Sequence, residues 1–234
     1  MKIAVLSSGG IDSTVLGFKL AKEGNDVYFV FVKAGHPWEE AELIALRKIL
    51  NVTHGQFSKN TYRIQGPKVL SLPMADVYNP KDWSLSGQNV PGYHAPDTAV
   101  EITGRNIVLL SKTAIYCALE GIQAIAMGSL SGNPFPDATS EFFKLGSTWF
   151  SMGLRKKIEI LTPFRELSKT QVIRIGVELG LPLELTLTCN NPQQVSPGEW
   201  IHCGNCNKCA ERIHGFKMAG VEDKTHYRLT LNIS

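Results

Sequence analysis

The chain has 234 residues, 43% hydrophobic and 19% charged, with a formal charge of +3. That composition excludes disorder as the default and fits one large α/β domain with a small appendage; the weak positive charge admits an anionic substrate without demonstrating nucleic-acid binding. No apolar run approaches the roughly 18 residues of a membrane span, and the opening MKIAVLSSGG lacks the apolar core and cleavage site of a signal peptide, so a cytoplasmic protein is expected.

Residues 3–6 are a continuous apolar run, as in a parallel strand buried on both faces. After Gly9-Gly10, the residues Val15, Leu16, Phe18, Leu20 and Ala21 predict a mostly apolar helix, closed by Gly24-Asn25-Asp26. Residues 27–32 form the next strand, completing a βαβ unit. A helix is expected over 38–50, with Glu39, Glu40 and Glu42 suiting the positive end of its dipole. The stretch 58–93 holds Pro67, Pro73, Pro80 and Pro91 and one short strand candidate, 69–72. It reads mainly as an excursion over the carboxyl edge of the sheet, where open α/β folds bind ligands. Regular pattern resumes with a helix at 107–119, a buried strand at 122–127 ending in Gly128, and a Gly/Pro/Ser-rich loop over 129–137. A helix near 141–153, a strand at 158–161, a helix at 168–180 with Ser168 as N-cap, and a half-exposed strand at 227–233 complete the pattern.

The string Ser8-Gly9-Gly10-Ile11-Asp12-Ser13 sits between a strand and a helix. Glycines allow a sharp turn and close approach to a ligand, and the helix start presents unpaired N–H groups. The Ser8 and Ser13 hydroxyls add donors, so the turn makes a socket for pyrophosphate. Asp12 would repel phosphate unless a metal lay between them, which assigns it to Mg²⁺. The alternative is a tight turn and N-cap without a ligand. The chain contains neither G-x-x-x-x-G-K-[ST] nor G-x-G-x-x-G, which argues against a Walker-type NTPase or a dinucleotide-binding enzyme.

Four of the five cysteines, Cys189, Cys203, Cys206 and Cys209, crowd one segment. Four thiolates suit a closed tetrahedral Zn²⁺ site; an iron–sulfur cluster remains open. Lys208, Arg212 and His202 are expected to offset the negative charge of such a site. Cys117, in an apolar helix, reads as core.

The SGGIDS string resembles the signature of the PP-loop ATP-pyrophosphatases, which adenylate a substrate oxygen and release pyrophosphate. Its pairing with Cys203-Gly204-Asn205-Cys206-Asn207-Lys208-Cys209 resembles the 7-cyano-7-deazaguanine synthase (QueC) family, as do Gly104-Arg105-Asn106 and the tail from Ala219 to Tyr227. The resemblance implies a doubly wound, mostly parallel α/β sheet of the adenine nucleotide alpha hydrolase-like, Rossmann-like type. A catalytic domain at 1–184 would carry a small zinc-binding segment at 185–234. It implies an ATP-dependent ligase with ATP, Mg²⁺ and Zn²⁺, acting on a deazapurine carboxylate with ammonia or a partner-derived amine. Nucleic acid and membrane are not expected as partners, and a homodimer is left open. Asp12, Lys169 and Arg105 are the expected catalytic residues. Ser8, Gly9, Gly10, Asp12, Ser13, Arg105, Asn106 and Gly128 are the expected nucleotide contacts, with His36, Phe135 and Asp137 at the acceptor. Relatives usually carry Tyr-Pro-Asp-Cys-Arg where this chain has Phe135-Pro136-Asp137-Ala138-Thr139, so the acceptor is open. Adenylation of a tRNA base or another carboxylate, or a non-catalytic nucleotide-binding role, stand as alternatives.

Overall fold

In the computed structural model, residues 1–57 and 63–229 are described. Five parallel strands form one sheet: β1 (Lys2–Leu6), β2 (Asp26–Lys33), β3 (Ile64–Ser71), β4 (Ala124–Ala126) and β5 (Glu159–Leu161), in the order β3-β2-β1-β4-β5. The order reverses direction at β1, which places a crevice at the carboxyl ends of β1 and β4.

Helices cover both faces because the strand side chains alternate. Ile3, Val5, Phe29 and Phe31 point to one face, where they pack with α1 (Ile11–Lys22), α2 (Glu39–Phe57), α6 (Lys169–Glu178) and α7 (Asn207–Ala219). Ala4, Leu6, Val30 and Val32 point to the other, against α4 (Arg105–Glu120) and α5 (Ser140–Leu154). Each fully buried Leu, Ile or Phe contributes roughly 1.5–3 kcal/mol. Cys117 lies in the second of these layers, as expected, with its thiol pKa pushed up to about 12 by burial.

Several boundaries moved. The strand expected at 69–72 begins at Ile64, because a bulge between Tyr28 and Val30 accommodates Gly66-Pro67 on this edge strand. α2 runs to Phe57, and α4 starts at Arg105 rather than residue 107. Ser168 caps α6 through a reciprocal capping box with Gln171. The cysteine-bearing segment also holds a hairpin of β6 (Gln193–Ser196) and β7 (Glu199–Ile201) before α7. Of the expected C-terminal strand, Tyr227 makes an isolated bridge to His202; residues 230–233 lie outside the described residues. Among the described residues, no helix is long and apolar enough to cross a membrane.

Candidate active site

A cavity of about 280 Å³ opens where β1, β2 and β4 end, lined among others by Ser8, Gly10, Asp12, Ser13, Gly128 and Lys169. The turn between β1 and α1 is held by its own serines. Ser8 Oγ accepts from the Gly10 N–H at 3.4 Å, and Ser7 Oγ accepts from the Gly9 N–H at 3.3 Å. Ser13 Oγ lies 3.1 Å from Ser7 Oγ, so the two hydroxyls share a hydrogen bond. Gly9 backs onto α2. Its φ of +78° and the Glu42 carbonyl oxygen, 2.6 Å from where a Cβ would lie, both require glycine. At Gly128 a Cβ would come within 3.0 Å of the Asp12 carbonyl carbon and the Ser13 nitrogen. The end of β4 therefore lies against the first turn of α1.

Four charges run across this wall. Lys169 Nζ donates to Asp12 Oδ2 at 2.5 Å and pairs with Glu211 Oε1 at 3.1 Å; Lys208 Nζ donates to Glu211 Oε2 at 2.9 Å. Burial alone would lower the Lys169 pKa, but Asp12 and Glu211 outweigh it and raise it. Burial alone would raise Glu211, but Lys169 and Lys208 hold its carboxyl at about 2. Glu211 and Lys169 are thus a fixed anion and a fixed cation. Burial pushes the Asp12 carboxyl up against the pull of Lys169. Of the Asp12 carboxylate oxygens, Oδ2 is taken by Lys169, while Oδ1 is buried without a partner. Lys169 is no solvated surface lysine; its side chain is 12% exposed.

The opposite wall comes from the start of α2. Glu39 accepts from the Ala34 and Gly35 N–H groups, which fixes the loop after β2. That loop carries His36, whose Nδ1 lies 2.9 Å from the Ser84 carbonyl. A carbonyl only accepts, so Nδ1 carries the proton and Nε2 keeps its lone pair. Burial, with Arg105 nearby, lowers the His36 pKa to about 4, so the ring is neutral at pH 7; Nε2 is buried and unpartnered. Glu42 also lines this cavity, its carboxyl raised to about 8 by burial.

A second cavity of about 210 Å³ adjoins the first; Arg105, Asn106, Asn133, Asn190 and Lys208 line both. Its aromatic wall is a stack. Trp38 is 1% exposed, stacked with His36 at 4.8 Å and with Trp83 at 5.4 Å. Trp83 comes from α3 (Trp83–Ser86), and Val100 and Ile102 follow it, so the proline-rich excursion does cover the carboxyl edge of the sheet. Phe135 and Asp137 lie in this cavity. Both carboxylate oxygens of Asp137 accept from Asn106, one from its backbone N–H at 2.9 Å and one from Nδ2 at 3.1 Å. This pair locks the short turn of Pro136–Ala138 to the first turn of α4.

The four cysteine sulfurs are buried and within 4.8 Å of one another. The close pairs are 3.5–3.9 Å apart, against about 3.8 Å between sulfurs of a tetrahedral Zn–S₄ site. The donor set and spacing therefore fit a closed metal site. The residues expected to offset its negative charge differ in what they supply. His202 is buried, its pKa is pushed well down, and its Nε2 accepts from the Thr188 N–H. The Arg212 guanidinium is buried and held by Thr225, Thr186 and the Leu183 carbonyl, and its positive charge acts on Cys209. Lys208 turns to Glu211 and the cavities.

The family described as queuosine biosynthesis protein QueC matches residues 2–220, nearly the whole chain. The chain belongs to the QueC family. It is 29% identical to a 7-cyano-7-deazaguanine synthase of a Nitratiruptor species, covering 98% of this chain and 100% of the relative. A synthase of the same name from Aliarcobacter butzleri is 30% identical, with 97% and 96% covered. One from Saccharolobus solfataricus is 29% identical over 97% of this chain, which spans 47% of that longer relative.

Within this QueC-family chain, the folded site brings together nearly every residue expected at it. Ser8, Gly10, Asp12, Ser13, His36, Arg105, Asn106, Gly128 and Lys169 line the first cavity, and Phe135 and Asp137 the second. Gly9 supports the turn from behind. Reading the sequence missed Ser7, Glu42, Lys208 and Glu211 as cavity residues. Lys208 and Glu211 did leave a signal: they flank Cys209 at i,i+3 spacing, one positive and one negative.

Proposed function

We propose that this chain is an ATP-dependent carbon–nitrogen ligase that makes a 7-cyano-7-deazaguanine-type product from a deazapurine carboxylate, such as 7-carboxy-7-deazaguanine, and ammonia. The observation that carries this reading is the joined pair of cavities. One is polar and floored by the Ser8–Ser13 turn; the other is walled by Trp38 and Trp83; Arg105 lines both. That arrangement suits a polyphosphate on one side and a planar ring on the other.

In this reading the N-terminal turn of α1 receives the phosphates, and Lys169 offers them a cation whose charge is assured by Asp12 and Glu211. Asp12 Oδ1, buried and unpartnered, is the oxygen that suits the Mg²⁺ of Mg-ATP; the metal would supply charge neutralisation at the phosphates. Asn106 and Asp137 hold the wall against which the acceptor ring lies, and neutral His36 Nε2 accepts a proton-bearing group of nucleotide or acceptor. The acceptor oxygen then attacks the α-phosphorus, pyrophosphate leaves with the bond electrons, and ammonia displaces AMP to give the carboxamide. A second ATP adenylates the amide oxygen, and loss of AMP and the amide protons leaves the nitrile. The cysteines would hold Zn²⁺, which fixes the segment from 185 onward as a metal-bearing unit on the catalytic part at 1–184. We place the reaction in the cytoplasm. Self-association through the exposed apolar residues Leu119 of α4 and Leu145, Trp149 and Met152 of α5 is the homodimer this reading admits; sedimentation at micromolar protein tests it.

The decisive experiment supplies 7-carboxy-7-deazaguanine, ammonium and Mg-ATP. The expected products are AMP, pyrophosphate and the carboxamide or nitrile. Absence of acceptor-dependent pyrophosphate release would sink the reading.

A further inference from the structure

The first turn of α7 belongs to the cavities as much as to the cysteine cluster. Cys206 is its N-cap residue and Cys209 its third residue, so both ends of the turn are tied to the cluster. Asn207 is pinned as well: its N–H donates to the Pro91 carbonyl and its Nδ2 to the Ala95 carbonyl. Between these anchors Lys208 projects to the place where the two cavities meet. Its stem is not free to wander, because Nζ donates to Glu211 Oε2 and Glu211 is itself held by Lys169. Lys169 in turn lies against α7 closely enough that a Cβ on Gly215 would meet its Cγ at 2.7 Å.

The distribution of charge decides what Lys208 is for. The loop from Phe135 to Thr139 carries no cation. Of the residues that line both cavities, Arg105 and Lys208 are the cations. Arg105 Nε is buried and has no hydrogen-bond partner. An unpaired buried guanidinium nitrogen, lining the same junction as a lysine with one of its three donors committed, makes a seat for an anion. An acceptor whose oxygen must reach the α-phosphorus has to place that oxygen at this junction. We propose that Lys208, on the cysteine-cluster helix, is the specificity-determining cation that binds the carboxylate of the acceptor, paired with Arg105.

This proposal rests on the ligase reading and sharpens it. A carboxylate acceptor carries a full negative charge to the junction; its carboxamide does not. On adenylation the carboxylate oxygen bonds to phosphorus and its charge passes to the departing pyrophosphate, so the attraction of Lys208 acts mainly on binding, not on the chemical step.

Lys208→Met and Lys208→Arg, each checked for unchanged Tm and metal content, are compared with the wild type using 7-carboxy-7-deazaguanine and its carboxamide. K208M is expected to raise KM for the carboxylate at least about tenfold, with kcat and the KM for ATP within about threefold. The carboxamide should be used as before, and K208R should retain the carboxylate KM. A rise in the KM for ATP alone would assign Lys208 to the phosphates and overturn the proposal. An equal loss with both acceptors would mark it as structural and overturn it too. If the wild type turns over neither acceptor, the ligase reading has failed by itself. Calorimetric binding of the carboxylate then decides Lys208 separately, equal affinity in wild type and K208M overturning it. If K208M does not fold, K208R and Lys208→Gln carry the same comparison.

Discussion

The two cavities differ in how the chain builds them. The first cavity, where we place the phosphates, is founded on one uninterrupted stretch, Ser7 to Ser13, whose serine hydroxyls bond within the stretch. The second cavity, where we place the acceptor, is assembled from Trp38 just before α2, from α3, the start of α4, the turn at Pro136–Ala138 and the first turn of α7. A contiguous site has its geometry set by local backbone, and it tolerates little change. A dispersed site is set by packing between distant segments, and its specificity can be altered one side chain at a time.

That contrast orders the expected effects of mutation. The largest belongs to Asp12→Asn, which leaves Lys169 and Glu211 in place but removes the carboxylate from the α1 turn. ATP–pyrophosphate exchange should fall by about 10³-fold, as for loss of a preorganised electrostatic group. Activity within tenfold of wild type would mean that the turn does not govern the phosphates. Next is the cluster that carries α7. Cys209→Ser should release the metal, measured by mass spectrometry, and lower Tm by about 10 °C or more; a metal-free wild type would overturn this. A graded response is expected on the acceptor side. Trp83→Ala should raise the acceptor KM about tenfold through loss of one face of the aromatic stack, with the KM for ATP nearly unchanged. Equal increases for both would show that the two cavities are not functionally separate.

The smallest effect is expected at Glu42→Gln, and it is read in pH. The Glu42 carboxyl is raised to about 8 by burial, with Arg105 lowering and Glu39 raising it. The folded chain therefore holds a proton there that the unfolded chain releases above an ordinary carboxyl pKa. Stability is fully present below about 4.5 and is lost as pH rises through about 8. His36 acts in the other half of the range: its folded pKa of about 4 removes stability as pH falls from about 6.5 towards 4. E42Q should show a Tm several degrees above wild type at pH 8 and no difference at pH 4.5. An unchanged difference across that window would exclude Glu42 as the titrating group.

Much was readable before folding where the cause is local. The apolar runs of β1 and β2 are buried on both faces, so no other strand arrangement hides them, and Ser168 with Gln171 announces the start of α6. The Ser8–Ser13 turn and the four cysteines are short strings whose backbone or sulfur chemistry is nearly self-sufficient. β3 was read short because proline is tolerated only at the bulge of an edge strand, and edge position is a property of the sheet. The cavity roles of Glu42 and Trp38 escaped for a related reason: residues at and just before the start of α2 look like ordinary helix-start chemistry until β2 aims them at a cavity.

The sequence by itself determined the Ser8–Ser13 turn between strand and helix, the four-cysteine set and the parallel α/β sheet, because each follows from residues close in the chain or from burial on both faces. Only the tertiary structure decided that Asp12 shares its carboxylate with Lys169, that Glu211 locks that lysine, and that Lys208 leaves the cysteines for the cavities. Asp12 and Lys169 stand 157 residues apart. A charge pair at that separation has no local signature; it exists because α1, α6 and α7 pack on the same face of the sheet.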